Sequence, residues 1–324
     1  MSMPLISVIM PVYNAEEFIE QAIFSILNQT YKNIELIICD DGSSDNTIVK
    51  ILNIDDNRIR LYKNENNKGN LFTTNKLLSY CQGEYIAIQD ADDYSELNRI
   101  EIQMKYIVEK NVDLIGGAVN VLREKTIIDV IKNPQKHHEI IYYMKNKNKF
   151  PVIWGSVLFK KIIYTNLGGF NTLFDKKGAA DIEWMLRAIK KYKFYNINDI
   201  IYNYRQHVQS FTKALDTNDP NLILRLFAED IAIDMYSKED KYPADIFFHE
   251  RLKYYSNLFE IDKSRLLSIY FSKLILGNIN YFLFLKKLLL LKACFKQKIK
   301  YLGMATIFYI GGFQLLELIK RKIR

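Results

Sequence analysis

The first hundred residues alternate between short apolar runs and amphipathic segments. The apolar runs lie at 7–14, 34–39, 58–62 and 85–88 and are bounded by polar turn residues, a pattern typical of buried parallel strands. After the first run, apolar residues recur at helical spacing at Phe18, Ala22, Ile23, Ile26 and Leu27. Strands and helices that alternate at this pitch predict βαβ units, and therefore an α/β fold with a mostly parallel sheet.

Polar residues at the predicted helix starts suggest how two helices are capped. Asn14 and Glu17 have the spacing of a capping box for the first helix. Ser43, Ser44 and Asp45 offer side-chain oxygens to the amides of the second helix. We therefore expect helices to begin directly after these two groups.

The α/β pattern continues to about residue 215. It predicts a helix at 97–110, strands at 112–121, 151–159 and 197–204, and a helix that begins at Ala180. The stretch 123–150 is polar and poorly patterned, which suggests a mobile lid. Beyond residue 216 every recognisable segment is helical. We therefore expect an α/β domain over 1–215 and a helical C-terminal region over 216–324.

Composition narrows the class of protein without naming a function. The 324 residues are 49% hydrophobic and 25% charged, which is typical of a folded chain with room for a large core. The three cysteines lie far apart without a CxxC pair, so zinc ribbons and disulfide frameworks are not expected and a reducing compartment fits best. The amino terminus has no basic stretch followed by a long apolar run, so no signal peptide is predicted.

Excess positive charge is concentrated in the last part of the chain. Residues 263–324 contain thirteen Lys or Arg and one acid, Glu317, a balance of +12 in a chain whose net charge is +8. The basic part is also the most apolar part, which favours an anionic membrane surface over nucleic acid as its partner. The longest uncharged run, 301–316, is short for a membrane span, so an interfacial amphipathic helix is preferred. The alternative is an ordinary helical bundle or the contact surface of a homo-oligomer.

Two of the predicted strands end in acidic residues. Asp40 and Asp41 follow the second strand, and Asp90, Asp92 and Asp93 follow the fourth. Ligands of open α/β sheets bind beyond the carboxyl ends of such strands. Side chains two apart on an extended segment share a face at about 6–7 Å, so Asp90 and Asp92 can bind one hard cation. A solvated acidic turn is the alternative.

Glycine-rich phosphate loops are not part of this sequence. No GxGxxG follows the first strand, and GxxxxGK[ST] does not occur. A dinucleotide Rossmann site and a P-loop are therefore both unsupported. The acidic strand ends instead indicate that a phosphate compound is bound through a metal ion.

Eight short motifs match one family in order and spacing. They are Val8–Asn14, Asp40–Asp45, Asn67–Gly69, Gly83–Ile88, Gln89–Asp93, Gly168–Phe170, Asp181–Trp184 and Tyr204–His207. Over about 7–212 the chain resembles bacterial family 2 glycosyltransferases of the GT-A fold, which are inverting enzymes. The processive members carry Q-x-x-R-W and several membrane spans, and this sequence has neither, so a non-processive member is expected.

The resemblance implies a nucleotide-sugar donor, usually a uridine diphosphate sugar. It places Asp41 on the uracil ring N–H, Pro11 and Tyr13 along the base, and Lys68 among the donor-binding residues. A carboxylate suits this role because it accepts from the uracil imide, which cytosine lacks. The alternatives are a helix cap for Asp41 and simple packing for Tyr13.

The resemblance also implies a Mn²⁺ or Mg²⁺ ion. Asp90 and Asp92 match the metal-binding acids, and His207 matches a position where some relatives have another metal ligand. Asp90 and Asp93 are also expected beside the donor. Asp93 alternatively braces its loop, and a lone loop histidine such as His207 is more often a surface residue.

Asp181 matches the family's general base, which takes the proton of the acceptor hydroxyl during a single inverting displacement. Many relatives have a Glu before this Asp, whereas here Ala180 precedes it and Glu183 follows, so Glu183 could share the role. A helix cap is the alternative for Asp181. Trp154 and Trp184 could stack on an acceptor sugar, or simply pack in the core.

Together these features predict a metal-dependent glycosyltransferase of bacterial surface polysaccharide synthesis. Its expected acceptor is a glycan or a lipid-linked glycan, and its expected location is the cytoplasm, at the inner face of the membrane. A nucleotidyltransferase is one alternative, although the loop after the first strand lacks the glycine-rich and basic residues typical of that class. A catalytically silent sugar-binding or scaffold protein is the other.

Overall fold

The described part of the chain forms one nine-stranded mixed sheet flanked by helices. The structure, a computed structural model, describes residues 3–175, 178–207, 222–238, 250–251, 253, 297–298, 300–302 and 304–305. The strands are β1 (Ile6–Val12), β2 (Ile34–Asp40), β3 (Ile59–Lys63), β4 (Tyr85–Ile88), β5 (Tyr94–Ser95), β6 (Leu114–Arg123), β7 (Thr126–Ile131), β8 (Leu158–Lys160) and β9 (Phe194–Arg205).

Eight helices connect or follow these strands in the described residues. They are α1 (Ile19–Leu27), α2 (Thr47–Leu52), α3 (Asn70–Tyr80), α4 (Arg99–Lys110), α5 (His137–Lys147), α6 (Lys161–Leu167), α7 (Ala180–Ile189) and α8 (Leu222–Lys238). Short 3-10 turns lie at Trp154–Ser156 and Thr172–Phe174. The element order confirms the α/β class, and α8 agrees with a helical segment beyond residue 216.

Strand order explains where a ligand site can form. The sheet runs β3-β2-β1-β4-β8-β6-β9-β5, with β7 paired to β6. The β3-β2-β1-β4 half is parallel, β6 and β9 are also parallel, and β8 joins the two groups through antiparallel pairs. The carboxyl ends of β1, β2 and β4 therefore lie at one edge of the sheet, as the strand-end acids predict.

The core lies between this sheet and the helices on its faces. Every residue of β2 is buried, because helices cover both sides of a parallel sheet. α1 buries the predicted apolar face, except that the face begins at Ile19 and not at Phe18. Its buried residues are Ile19, Ala22, Ile23, Ile26 and Leu27. Cys39 and Cys81 are buried free thiols, and Cys294 lies outside the described residues.

One of the two cap predictions is wrong. Asn14 does not cap α1, which begins at Ile19 without a side-chain cap; its side chain instead accepts a hydrogen bond from the Ser44 amide at 2.9 Å. Asn14 has a φ of 47°, so the backbone turns away from helical geometry at this residue. Asp45 does act as predicted, because its carboxylate accepts the Thr47 amide at the start of α2 at 3.0 Å.

Two predictions for the middle of the chain differ from the structure. The stretch 123–150, predicted to be poorly patterned, contains β7 and α5, and its role as a mobile lid stays a prediction. Its polar sequence reflects exposure, because most residues of β7 and α5 are exposed or only partly buried. The strand predicted at 151–159 is largely replaced by the turn Trp154–Ser156, and only β8 pairs in the sheet.

The chain divides into two units. The first comprises residues 1–205 and 228–241 and contains the sheet; the second comprises 206–227 and 242–324. The described residues of the second unit at 297–298, 300–302 and 304–305 are helical. Most of the basic segment 263–324 lies outside the described residues, as does the predicted domain boundary at 215. None of the described helices is both long enough and apolar enough to cross a membrane.

Candidate active site

The candidate site forms where β1, β2 and β4 end. The Asp41 amide donates to the Val12 carbonyl at 2.8 Å, and the Gln89 amide donates to the Ile9 carbonyl at 3.0 Å. These two bonds extend the parallel pairing past the strand ends. They bring the residues that follow β2 and β4 beside Pro11, which is partly buried at the end of β1.

Asp41 organises the loop that precedes α3. Its carboxylate accepts the Lys68 amide at 2.9 Å, the Gly69 amide at 2.8 Å and the Asn64 side-chain amide at 2.7 Å. The alternative prediction of a cap on the next helix is therefore wrong, because α2 uses Asp45. Three donors leave part of the acceptor capacity of the Asp41 carboxylate available to a ligand.

The other predicted donor residues differ in exposure. Tyr13 is 48% exposed, so the packing alternative does not describe it. The Lys68 side chain is exposed, and it is the backbone amide of this residue that meets Asp41. An exposed aromatic ring beside the end of β1 is available for contact with a planar base.

The acidic residues after β4 form a tight turn that β9 braces. The Asp93 amide donates to the Asp90 carbonyl at 3.3 Å, which closes the turn. Asp93 is 1% exposed and accepts the Arg205 amide at 2.7 Å, while the Arg205 guanidinium donates to the Asp92 carbonyl at 2.6 Å. The bracing role expected as the alternative for Asp93 is thus the one its contacts describe.

Asp90 interacts electrostatically with carboxylates from two parts of the chain. Burial, followed by the charges of Asp92 and Asp181, raises the pKa of Asp90 to about 7. Burial also raises the pKa of Asp181. Asp90 therefore interacts electrostatically with both Asp92 and Asp181. That Asp90 and Asp92 bind one cation stays a prediction.

Asp181 and Glu183 have different environments although both belong to the first turn of α7. Gly178 and Ala179 precede the helix with φ values of 84° and 59°, so the chain turns sharply just before Asp181. Glu183 is 7% exposed and forms an ion pair with Arg187 at 2.8 Å. Glu183 is therefore part of an ion pair within α7, whereas Asp181 interacts electrostatically with Asp90.

Arg99 and Tyr202 are two site residues that sequence reasoning missed. Arg99 is fully buried in α4, and its guanidinium lies 5.1 Å from the centre of the Tyr202 ring. The Tyr202 hydroxyl accepts the Asp90 amide at 3.1 Å. The only sequence signal was a polar pair, Arg99 and Gln103, on the otherwise apolar face of α4.

A third missed residue, Glu229, comes from α8, far beyond the family motifs. Its carboxylate accepts the Phe150 amide at 2.7 Å. Burial raises the pKa of Glu229, and the charges of Asp230 and Asp181 contribute in the same direction. No motif in the sequence marks this residue, because its position depends on the packing of a separate helix.

Aromatic rings pack together behind the Trp154–Ser156 turn. Trp184 is fully buried and donates to the Gly168 carbonyl at 2.9 Å. Its role is therefore core packing, which was the alternative to stacking on a sugar. Trp154 lies 5.8 Å from Trp184 and 5.2 Å from Phe170, measured between ring centres. Trp154 is only partly buried, so some of its ring surface remains accessible for an acceptor.

A divalent metal ion fits the chemistry of this cluster. Carboxylate oxygens such as those of Asp90 and Asp92 are the ligands that Mg²⁺ and Mn²⁺ prefer, and a cation would favour the charged form that burial and the neighbouring carboxylates disfavour at Asp90. Among the described residues, no three His, Cys, Asp or Glu side chains are grouped closely enough to hold a metal. His207 directly follows β9, and its role as a ligand stays a prediction.

Comparison with known proteins identifies the family. Residues 7–167 match the model of Glycosyl transferase family 2. The Escherichia coli protein WfaP, named a UDP-Glc:alpha-D-GlcNAc-diphosphoundecaprenol beta-1,3-glucosyltransferase, is 30% identical over 219 residues, which are 64% of this chain and 80% of WfaP. This chain belongs to glycosyltransferase family 2. The resemblance inferred from eight motifs is thereby confirmed.

Other family members agree with this assignment. Escherichia coli WfgD, which carries the same activity in its name, is 42% identical over 132 residues, 41% of this chain and 52% of WfgD. The chain thus spans about half the length of the first curated relatives it matches. The structure of Staphylococcus aureus TarS 1-349 in complex with UDP-GlcNAc has a TM-score of 0.58 at 15% identity, covering 98% of this chain and 91% of TarS 1-349. This likeness confirms the GT-A type of fold.

Proposed function

We propose that this family 2 chain is an inverting glycosyltransferase that moves a sugar from a UDP-sugar to a glycan or lipid-linked acceptor of a bacterial surface polysaccharide. The observation that carries the proposal is that Asp90, which follows the parallel strand β4, interacts electrostatically with both Asp92 and Asp181. The names of WfgD and WfaP, which specify UDP-Glc and a diphosphoundecaprenol acceptor, support this choice of substrates.

The uridine end of the donor binds beside Asp41. The carboxylate of Asp41 is 3% exposed and fixed by three N–H donors, so its remaining acceptor capacity has a defined direction. The uracil imide N–H satisfies it, whereas the acceptor N3 of cytosine would not. Pro11 and the exposed ring of Tyr13 contact the base, and Lys68 lies at the loop that Asp41 holds.

The diphosphate is placed at the acidic turn. Asp90 and Asp92 would hold a Mn²⁺ or Mg²⁺ ion, with His207 as a further ligand, and Asp93 supports the turn beside the donor. When bound, such an ion would supply positive charge to the departing nucleoside diphosphate. Arg205 braces this turn through the Asp92 carbonyl and the Asp93 carboxylate.

Asp181 removes the proton of the acceptor hydroxyl as its oxygen attacks the anomeric carbon. Because attack and departure occur on opposite faces in one displacement, the anomeric configuration inverts. Burial raises the pKa of Asp181, which strengthens it as a base relative to an exposed carboxylate. Trp154, whose ring is only partly buried, is proposed to contact the acceptor sugar.

The enzyme acts in the cytoplasm, at the inner face of the membrane, where lipid-linked acceptors are reached. The +12 balance of residues 263–324 supports contact with anionic lipids. Sedimentation with vesicles containing anionic lipid tests this part of the proposal. Binding at low salt that is lost at high salt is expected, and no binding at low salt contradicts it. A self-associating C-terminal region would instead give a dimer in analytical ultracentrifugation.

A donor screen tests the function itself. The full chain is incubated with Mn²⁺, a panel of nucleotide sugars, and an undecaprenyl diphosphate-linked GlcNAc acceptor, and products are identified by mass spectrometry. Release of UDP together with a product heavier by one hexose is expected. In a parallel incubation with nucleoside triphosphates and sugar 1-phosphates, release of pyrophosphate would favour a nucleotidyltransferase. Tight binding without turnover, for every donor, would favour a sugar-binding protein.

A further inference from the structure

The Tyr202 hydroxyl contacts both the backbone and the carboxylate of Asp90. Its hydroxyl accepts the Asp90 backbone amide at 3.1 Å, and the same hydroxyl lies 3.5 Å from Asp90 Oδ2. Tyr202 is fully buried in the middle of the β9 pairing, where Val119 is its partner in β6. A phenol that is fixed in the sheet therefore restrains both the backbone and the carboxylate of the first acid of the turn.

Gly155 lies next to the contact between Tyr202 and Asp90. A Cβ at Gly155 would lie 2.7 Å from the Tyr202 hydroxyl oxygen and 2.8 Å from Asp90 Oδ2. Real Cβ atoms essentially never approach other heavy atoms so closely, and the Tyr202 side chain is fully buried, so the Tyr202 ring or the Asp90 carboxylate would have to move. The turn Trp154–Ser156 can approach Asp90 only because this position carries no side chain.

Arg99 places a buried positive charge beneath the pair. Its guanidinium donates to neutral acceptors, namely Gln103 Oε1 at 3.2 Å, Ser95 Oγ at 2.9 Å and the Val157 carbonyl at 3.1 Å. Its charge faces the Tyr202 ring at 5.1 Å. The Val157 contact ties this cation to the chain that directly follows Gly155, so Arg99, Tyr202 and Gly155 form one buried support.

We infer that Tyr202 is a positioning residue that fixes the Asp90 carboxylate in the orientation needed to hold the divalent ion, with Gly155 providing the space. The inference rests on the proposed metal-dependent transfer. In this proposal Tyr202 contacts neither the donor nor the acceptor. It acts through Asp90, so its loss should affect metal binding and turnover more than the binding of the base.

The test compares two variants that each lose one hydroxyl. Tyr202→Phe keeps the ring over Arg99 and removes the contacts to Asp90. Tyr195→Phe, on the same strand, is the control, because its ring stacks on Tyr106 at 6.2 Å away from the acidic turn. Mn²⁺ binding is measured by electron paramagnetic resonance in the presence of UDP, and thermal unfolding is recorded for each protein.

Tyr202→Phe should weaken Mn²⁺ binding about tenfold, the usual effect of losing one oriented hydrogen bond. Tyr195→Phe should bind Mn²⁺ as the wild type does. Gly155→Ala should also weaken Mn²⁺ binding, because the added methyl group displaces Asp90. A matching drop in transfer rate, rescued by raised Mn²⁺, would distinguish positioning from loss of fold.

An unchanged Mn²⁺ affinity in Tyr202→Phe would overturn the inference, as would a wild-type chain that binds no Mn²⁺. Failure of the proposed function is recognised separately. If the wild type transfers no sugar from any donor, yet Tyr202→Phe still loses Mn²⁺ affinity, the positioning role holds and the proposed reaction does not. A lower melting temperature with intact Mn²⁺ affinity would show a structural role alone.

Discussion

The Glu183 carboxylate accepts two hydrogen bonds from the Arg187 guanidinium, at 2.8 and 3.2 Å, one turn further along α7. Arg187 also donates to the carbonyls of Leu167 and Gly169, both at 2.8 Å. Glu183 therefore helps to hold α7 against the end of α6. Of the two acids considered as bases from the sequence, this contact leaves Asp181 as the candidate.

Asp181→Asn should abolish transfer while leaving the fold and UDP binding intact. An amide cannot take the acceptor proton, so we expect a loss of about 10²–10⁴-fold in kcat. The rate is measured with saturating donor and acceptor, and UDP binding by calorimetry. A rate close to that of the wild type would assign the base to another residue.

Glu183→Gln is the matched comparison, since it changes an acid in the same helical turn. It should lower stability by about 1–3 kcal/mol, because a charged hydrogen bond to Arg187 is lost in a buried setting. The kcat of the folded enzyme should remain within a few-fold of the wild type. A loss of kcat as large as that of Asp181→Asn, without loss of stability, would contradict this assignment.

Asp41→Asn should reduce the preference for uracil. The wild-type carboxylate can accept from the uracil imide, whereas an asparagine amide can also donate to cytosine N3. We expect UDP binding to weaken about tenfold and the ratio of UDP to CDP affinity to fall. Calorimetry with both nucleotides measures this ratio. Asp55→Asn, at an exposed acid, is the control, and an equal effect in both variants would remove Asp41 from the base site.

Glu35→Gln should reduce stability in a way that depends on pH. Burial opposes the charged form of Glu35, but hydrogen bonds from Ser7, Gln82 and Arg60 outweigh it and lower its pKa. A pKa lowered by folding contributes stability above the unfolded value, near 4, and this contribution is lost as the pH falls through the lowered pKa.

We therefore expect Glu35→Gln to be less stable than the wild type by about 1–3 kcal/mol at pH 7. The difference should narrow as the pH is lowered below 4, where the wild-type carboxylate becomes protonated. Urea unfolding across this pH range measures the difference in free energy of unfolding between the variant and the wild type. Glu109→Gln, at an exposed acid 3.9 Å from Lys105, should change stability little at any pH. A constant difference for Glu35→Gln would exclude the charge as its cause.

Local patterns were sufficient to predict the framework of the site. Short apolar runs predicted β1, β2 and β4, and parallel pairing then required their carboxyl ends to meet. Asp41, Asp90 and Asp92 could be assigned to one edge because they directly follow those strands. Asp45 was predicted as a cap because the acceptor and the amide are only two residues apart.

Contacts between distant segments were not predictable in the same way. Asn14 has the spacing of a cap, but the Ser44 amide, thirty residues away, takes its side chain. Tyr202 reaches Asp90 across 112 residues, and the sequence of β9 alone does not show which tyrosine will do so. Glu229 lies outside the family motifs altogether. Such contacts depend on tertiary packing, which a single sequence does not encode locally.

The exposure of residues in the middle of the chain also made its secondary structure hard to predict. The segment containing β7 and α5 has few buried apolar residues, so its pattern resembled a loop although both elements form. The opposite error occurred at 151–159, where nearly all residues are buried. There the apolar run suggested a longer strand than β8, because burial in a turn gives the same signal as burial in a sheet.

The account depends most directly on the requirement for a divalent ion at Asp90 and Asp92. The decisive measurement is sugar transfer from a UDP-sugar by the wild type and by Asp92→Ala, with Mn²⁺ titrated from zero and circular dichroism as the control for folding. We predict transfer that requires Mn²⁺ in the wild type, inverts the anomeric configuration, and is absent in a folded Asp92→Ala chain. Full turnover by Asp92→Ala, or by the wild type with excess chelator, would contradict the account.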